Sequence, residues 1–354
     1  MLQVFGARLE NTQSDLLEDT ELEFGRNMLK TALIETNISF EELRSRDLVA
    51  EILEIDPELF MIQTENTHGS GWLFFDIHDD RFWTIFSLAG SEFFNAAISE
   101  LQRSDGGGLD RLWIPTGQVE EIGEMGRYEG VKISYGANEV FPDEFIDENL
   151  LFSDLNINGS GNSAKRLYDT LKSTEELDEF LALSRIKIRR EEGSNWVRES
   201  VTNKGSLTTR GGNDISLHIA TVEQVKDIYS SLLTSIEDHH VIDAEQRDRG
   251  ARSRGAPISI EFSKPVPDVE EFLSHVVNAR DPFRLMGHVR KTGPQAFKVE
   301  GLDAHNGDKI SLEMSEEWIR LYLYDDACGN TALRLFTNIQ QYYDPAAELV
   351  IYNA

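Results

Sequence analysis

The sequence predicts an α+β protein: two or three units of antiparallel sheet packed with helices, carrying internal repeats. Three observations lead there. Short segments of alternating apolar and polar residues come in clusters separated by turn residues, the mark of half-buried strands. Each cluster is flanked by stretches whose apolar residues recur at three and four, the spacing of one helix face. The length, 354 residues, also exceeds what a single core serves, since cores stop growing at roughly 250 to 300 residues.

Strands are expected at 59–64, 71–77 and 81–88, then at 185–190, 196–201, 206–210 and 215–219, and finally at 283–290, 296–302, 309–314 and 318–324. Asn66, Gly69, Asn203-Lys204-Gly205 and Asn306-Gly307-Asp308 supply turns between them. Helices follow each set, through Phe93, Phe94, Ala97, Ile98 and Leu101, through Val222, Val225, Tyr229, Leu233 and Ile236, and more loosely through Leu333, Phe336, Ile339 and Tyr343. A helix also precedes each set, at 40–55, 164–183 and 269–279, itself led by a strand-like segment at 2–8, 131–135 or 257–263. Capping boxes at Ser39 with Glu42, Ser173 with Glu176 and Thr221 with Gln224, and an Asp268–Glu271 version, mark helix starts.

Composition sets the boundaries. An acidic α+β domain at 1–153 gives way to a Gly-, Ser- and Asn-rich linker at 154–163, a middle unit at 164–242, an arginine-rich seam at 243–256 and a C-terminal unit at 257–354. The order strand, helix, meander, helix thus recurs three times. At the level of topology alone this resembles the repeat of the TATA-binding-protein fold, a curved antiparallel sheet with helices on one face. That resemblance implies a sheet that grips a partner, although no sequence motif of the family is present and three copies exceed its two.

Charge constrains function more than any motif. The chain carries 63 Asp and Glu against 34 Lys and Arg, a net charge of -29, which repels nucleic acid and anionic membrane unless cations are gathered locally. Arginine supplies 23 of the basic residues and lysine 11, a pairing of high acidity with low lysine that suits proteins of salt-loving organisms. Between Arg185 and Lys298, however, 18 basic residues meet 16 acidic ones, so one region differs electrostatically from the rest. No window approaches the roughly 18 apolar residues of a membrane helix, and the first residues lack a signal-peptide pattern. A cytoplasmic protein without a membrane partner is expected. One cysteine, Cys328, leaves no disulfide framework and no thiolate zinc site.

The candidate site residues follow from that charge map. Alternation in Arg185-Ile186-Lys187-Ile188-Arg189 puts three cations on one strand face, with Arg190 beside them. Arg247, Arg249, Arg252 and Arg254 crowd the later seam. These groups suit an anionic contact, so the leading expectation is a non-enzymatic protein binding nucleic acid or an acidic protein partner. A metal-dependent hydrolase or nuclease is the second reading, with Asp76, His78 and Asp79 or Asp303 and His305 as ligands. A regulatory or scaffold subunit of a larger assembly is the third. Asp238-His239-His240 resembles the motif of DHH phosphoesterases, but their other aspartate motifs are missing and a helix end explains it. Phosphate-binding glycine loops and the nucleophile elbow are absent, so no cofactor is expected.

Overall fold

The computed structural model describes residues 28–46, 51–104, 107–142, 145–146, 151–247, 250–325 and 327–351, with backbone alone at 244–247 and 250–253. The fold is mixed α+β, as the alternation predicts. Eleven strands form the first sheet, in the order β2 (Glu51–Asp56), β3 (Leu59–Asn66), β4 (Gly69–Asp76), β5 (Phe82–Ser87), β1 (Lys30–Thr36), β11 (Ser206–Gly212), β10 (Asn195–Thr202), β9 (Leu183–Glu192), β7 (Arg127–Gly136) and β8 (Asp154–Ser160), with β6 (Leu109–Arg111) on β1. Eight form the second: β13 (Gly250–Arg254), β12 (Val241–Arg247), β18 (Trp318–Tyr324), β17 (Lys309–Met314), β16 (Phe297–Asp303) and β15 (Leu285–Lys291), with β14 (Ile258–Glu261) joining β18 and β19 (Glu348–Val350). All pairs are antiparallel except β12 with β18.

Helices fill the space between the sheets and roof part of the first. Five of them are α1 (Phe40–Arg44), α2 (Ser91–Arg103), α3 (Thr116–Gly123), α4 (Ala164–Lys172) and α5 (Glu175–Asp178). The others are α6 (Ile215–His240), α7 (Val269–Val276) and α8 (Asn330–Tyr342). One core draws Val131, Ile186, Ile188, Val201 and Leu207 of the first sheet together with Leu312, Leu321 and Leu323 of the second, around Val225, Phe272 and Leu333 of the helices. A separate core lies under α1 and α2, where Phe93, Phe94 and Ile98 meet Ala32, Ile34, Leu73 and Trp83. Among the described residues no helix is long and apolar enough to cross a membrane.

Several sequence expectations need correction. Residues 154–160 are not a linker: Leu155 and Ile157 alternate with exposed residues, and β8 pairs with β7 along its whole length. Strand β1 joins β5 to β11, so the first two strand sets share one sheet and the pairing does not reproduce a repeated unit. Helix α1 ends at Arg44, and 51–56 is an edge strand. The segment 215–219 is the start of α6, capped by Asp214, whose carboxylate accepts from Ser216 N at 2.8 Å; Thr221 lies within that helix and donates to the Leu217 carbonyl. Ser173 likewise terminates α4 rather than opening α5. The Ser39 and Asp268 caps do form, on Glu42 N and Glu271 N. The strand read at 2–8 lies outside the described residues.

Helix α8 is buried on every side from Asn330 to Gln340 despite its polar content. That is tolerable only if each polar group finds a partner. Arg334, fully buried, donates through Nη1 to Asp110 Oδ2 at 2.6 Å, through Nη2 to Asp303 Oδ2, and through Nε to the Phe283 carbonyl at 3.0 Å. Asp110 belongs to β6 of the first sheet and Asp303 to β16 of the second, so one guanidinium ties both sheets to the helix between them. Burial works to raise the Asp303 carboxyl, and Arg334 more than offsets it, holding the group below its ordinary value. Nearby, Gly107 at φ +62 lies against the His305 carbonyl, where a Cβ would fall 2.0 Å from the oxygen, and Gly108 N donates to that carbonyl at 3.2 Å.

A second ionic junction lies at the same end of β1, where Glu35 is the register partner of Asp110. Arg81 donates to Glu35 Oε1 at 2.9 and 2.7 Å and to both Glu237 oxygens at 2.7 and 2.6 Å, while Cys328 Sγ donates to Glu35 Oε1 at 3.2 Å. One cation serves two carboxylates here, and Glu35 Oε2 is buried without a partner. Burial, opposed by Arg81, raises the Glu35 carboxyl to about 7.

Two outcomes follow. Arg334→Met strands two buried carboxylates and lowers unfolding free energy by about 3 to 5 kcal/mol in urea, while adding Asp110→Asn and Asp303→Asn recovers most of that loss. For Glu35, a folded value above the unfolded one means its stabilising contribution is complete below the ordinary 4.5 and is lost as pH rises through about 7. Relative to the parent, Glu35→Gln therefore shows a flatter fall in urea midpoint across that window; identical pH profiles would show that Glu35 is ionised throughout.

Candidate nucleic-acid interface

The cations of β9 fall as the alternation requires, and the register extends them into a surface. Ile186 and Ile188 turn into the core, while Arg185, Lys187 and Arg189 turn away from it. Directly opposed residues of antiparallel strands project to the same side, so the pairing defines three rows across the sheet. One row reads Ser160, Gly130, Lys187, Ser200, Thr208 and Lys30 over β8, β7, β9, β10, β11 and β1. The next contains Asn158, Lys132, Arg185 and Thr202. The third contains Arg127, Arg189 and Arg198. Six strands at about 4.8 Å spacing make a face roughly 24 Å wide.

Side chains on this face are cationic or small and polar. Asn158, Ser160, Arg198 and Arg210 are exposed, and Lys132, Arg185, Lys187 and Arg189 are partly so. Trp196 of β10 lies on the same side, with the Arg189 guanidinium 4.6 Å and that of Arg198 5.6 Å from its ring centroid. Arg189 also pairs with Glu191, and Arg198 and Arg127 share Glu129. Lys132, Arg185, Lys187 and Arg210 make no ion pair among the described residues; Lys187 donates to Ser160 Oγ at 2.7 Å, and the Arg185 Nε is buried without a hydrogen-bond partner. Burial and the neighbouring Arg210 lower Arg185 and bring Lys30 to about 8, and burial, Arg210 and Arg185 lower Lys187.

Arg190 does not belong to this face. Its position is opposite in parity, and it donates to Thr221 Oγ1 of α6 at 3.0 Å. The later arginines are placed apart, on a different sheet: Arg247 ends β12, and Arg252 and Arg254 lie in β13 across from Glu245 and Asp243. Arg254 is exposed, and Arg249 lies outside the described residues. Lys30, Lys132, Arg198, Arg210 and Trp196 were not singled out by sequence, because only the strand register brings them beside β9.

The histidine and aspartate groups do other work. Asp76 Oδ1 lies 2.7 Å from His78 Nδ1, and His78 Nε2 lies 3.1 Å from Glu58, an exposed arrangement that raises the imidazole chiefly through the Asp76 hydrogen bond. Asp79 accepts from Arg81 N and Phe82 N at 2.9 and 3.0 Å and pairs with Lys226, so it organises a turn. Asp303 is committed to Arg334 and Thr331, and His305 is buried and pushed down by that burial. Among the described residues no cluster of three or more such side chains could hold a metal ion.

Sequence comparison adds a family to this geometry. The family model described as MJECL33-like protein matches residues 1–354. A curated relative from Methanocaldococcus jannaschii, named uncharacterized protein MJECL33, is 28% identical over 378 residues, covering 95% of this chain and 89% of the relative.

Because Arg185 stands among like charges, Arg185→Gln relieves repulsion rather than removing support. At low ionic strength it should raise the unfolding free energy by up to about 1 kcal/mol, with the gain shrinking as salt screens the face. A clear loss of stability in urea would instead make Arg185 a structural residue.

Proposed function

The chain belongs to the MJECL33-like protein family, whose name states no activity, and from its own surface we propose that it is a non-enzymatic protein that binds single-stranded nucleic acid on the open face of the first sheet. The observation that carries this reading is the gathering of Lys132, Arg185, Lys187 and Arg210, none of them in an ion pair among the described residues, on one sheet face of a chain whose net charge is -29. Like charges are held together there at the expense of stability, and functional surfaces commonly carry that kind of cost.

The surrounding residues favour a phosphodiester strand. Gly130, Ser160, Thr202 and Thr208 present little bulk, which lets a backbone approach the cations closely, and the hydroxyls of Ser160 and Thr208 can donate to phosphate oxygens. Trp196 supplies an aromatic ring at the end of the patch, where a base can stack. Among the described residues the face is built of sheet strands, which offer no helix to enter a duplex groove, so an unpaired strand fits it better than a double helix. An acidic protein partner shares the charge requirement but makes no use of the ring.

Fluorescence anisotropy with labelled single-stranded and duplex oligonucleotides tests the proposal. Single strands are expected to bind more tightly, with a slope of log affinity against log salt of about -3 from four phosphate contacts. Arg185→Gln with Lys187→Gln should shallow that slope by about half, and Trp196→Ala should weaken single-strand binding without changing it. Absence of binding at low salt, together with capture of an acidic polypeptide by the same face, would replace nucleic acid with a protein partner.

A further inference from the structure

A polar cavity of about 340 Å³ lies where α2, β6, the β10–β11 turn and the segment before β15 meet. It is separate from the cationic sheet face and lies beside the Arg334 junction. Its size is at the small end of the roughly 300 to 1,000 Å³ typical of ligand pockets.

Three of its cations are incompletely neutralised. Arg111 is held by uncharged groups, Nε donating to Gln102 Oε1 at 2.7 Å and Nη2 to Ser99 Oγ at 2.8 Å. Lys204, in the β10–β11 turn, has its Nζ 5.6 Å from the Trp113 ring centroid and makes no ion pair among the described residues. Arg284 reaches a carboxylate, Asp110, only at 3.9 Å, and its backbone sits at φ +57, a conformation rare for a residue with a side chain.

The acids of the cavity are largely spoken for. Asp110 is engaged by Arg334 at 2.6 Å and by Gln102 at 3.0 Å. Asp281 pairs with Arg103 at 3.0 Å, both well exposed. Glu139 is left to offset three cations. Burial, then the nearby Arg111, lowers Lys204, and burial lowers Arg111 against the pull of Asp110. A bound anion would relieve both.

We propose that this cavity binds a small hydrophilic phosphate monoester, with Arg111, Lys204 and Arg284 surrounding the phosphate. Three cations approaching from three elements suit a doubly charged tetrahedral group better than a planar carboxylate, which one guanidinium can satisfy side-on. The lining is mostly hydrogen-bonding groups, with Trp113 and Tyr342 as its aromatic residues, so the remainder of the ligand is hydroxylated rather than greasy.

Isothermal titration of the full chain with ribose 5-phosphate and with ribose, at matched ionic strength, tests this. Ribose 5-phosphate is expected to bind with one-to-one stoichiometry and ribose not to bind. Lys204→Gln and, independently, Arg284→Gln should each weaken binding by about tenfold or more, whereas Lys187→Gln on the sheet face should leave it unchanged. The parent titration is decisive even if a variant fails to fold, which circular dichroism will reveal. No saturable heat from ribose 5-phosphate overturns the proposal, as does equal affinity in folded Lys204→Gln. Loss of binding in Lys187→Gln with none in Lys204→Gln would move the phosphate to the sheet face and overturn it equally.

Discussion

Burying a full positive charge in the middle of a protein is the constraint around which this fold is arranged. Arg334 has no exposed surface, and taking a guanidinium out of water costs several kcal/mol unless carboxylates and carbonyls replace the solvent. The replacements come from three places that have no sequence proximity: β6, the end of β16, and the carbonyl of Phe283. Because all three must converge, the two sheets cannot slide relative to α8 without exposing a charge to a dry environment. The same helix engages other polar side chains similarly, Asn330 accepting from Tyr229, Thr337 donating to the Trp113 carbonyl and Asn338 to that of Pro282, with Asn338 Oδ1 alone of these atoms left without a partner. A buried polar network of this kind specifies position where apolar packing alone would permit several.

Electrostatic separation on the first sheet arises from strand parity. A strand sorts its odd and even residues to opposite sides, so the core-facing isoleucines of β9 commit the basic residues between them to the other side. Neighbouring strands contribute lysine, arginine, serine and threonine on that side and apolar residues on the core side. Only half of the outer face is available for this, since α1 and α2 cover the region over β3, β4, β5 and β1. Lys30 sits at the transition, on β1, donating to the Met28 and Ala89 carbonyls.

Much of the fold was legible in the sequence, and its failures have physical causes. The hairpins of the second sheet were read almost residue for residue because β17 and β18 alternate cleanly and asparagine and glycine mark their turns. Strand β1 went unread because it is buried on both faces, so Lys-Thr-Ala-Leu-Ile-Glu-Thr shows no alternation and its ends look polar. The Gly, Ser and Asn content of 154–163 suggests a linker, yet Asn156, Asn158 and Ser160 occupy the solvent side of β8, where small polar groups are wanted. Arg334 carries no mark in the sequence because nothing local reveals that the far side of α8 is also covered. For the site, the cations of one strand were visible and those of its neighbours were not, since register is a property of pairing. The polar cavity was invisible for the same reason, its residues being drawn from segments as distant as Ser99 and Tyr342.

The placement of α8 bears on how the chain can be made. Ribosomes release a polypeptide from its N-terminus at about 5 to 20 residues per second, so the first sheet is complete, through β11, well before the helix at 330–342 has emerged. Until then α3, α4 and α6 pack on β9, β7 and β10, but the part of β7 that α8 covers stays open, and Asp110 waits without its cation. Such a nascent intermediate exposes apolar sheet to the cell for seconds, and the heavy negative charge of the chain then acts as a solubiliser, keeping half-made copies apart until the last helix closes the interior.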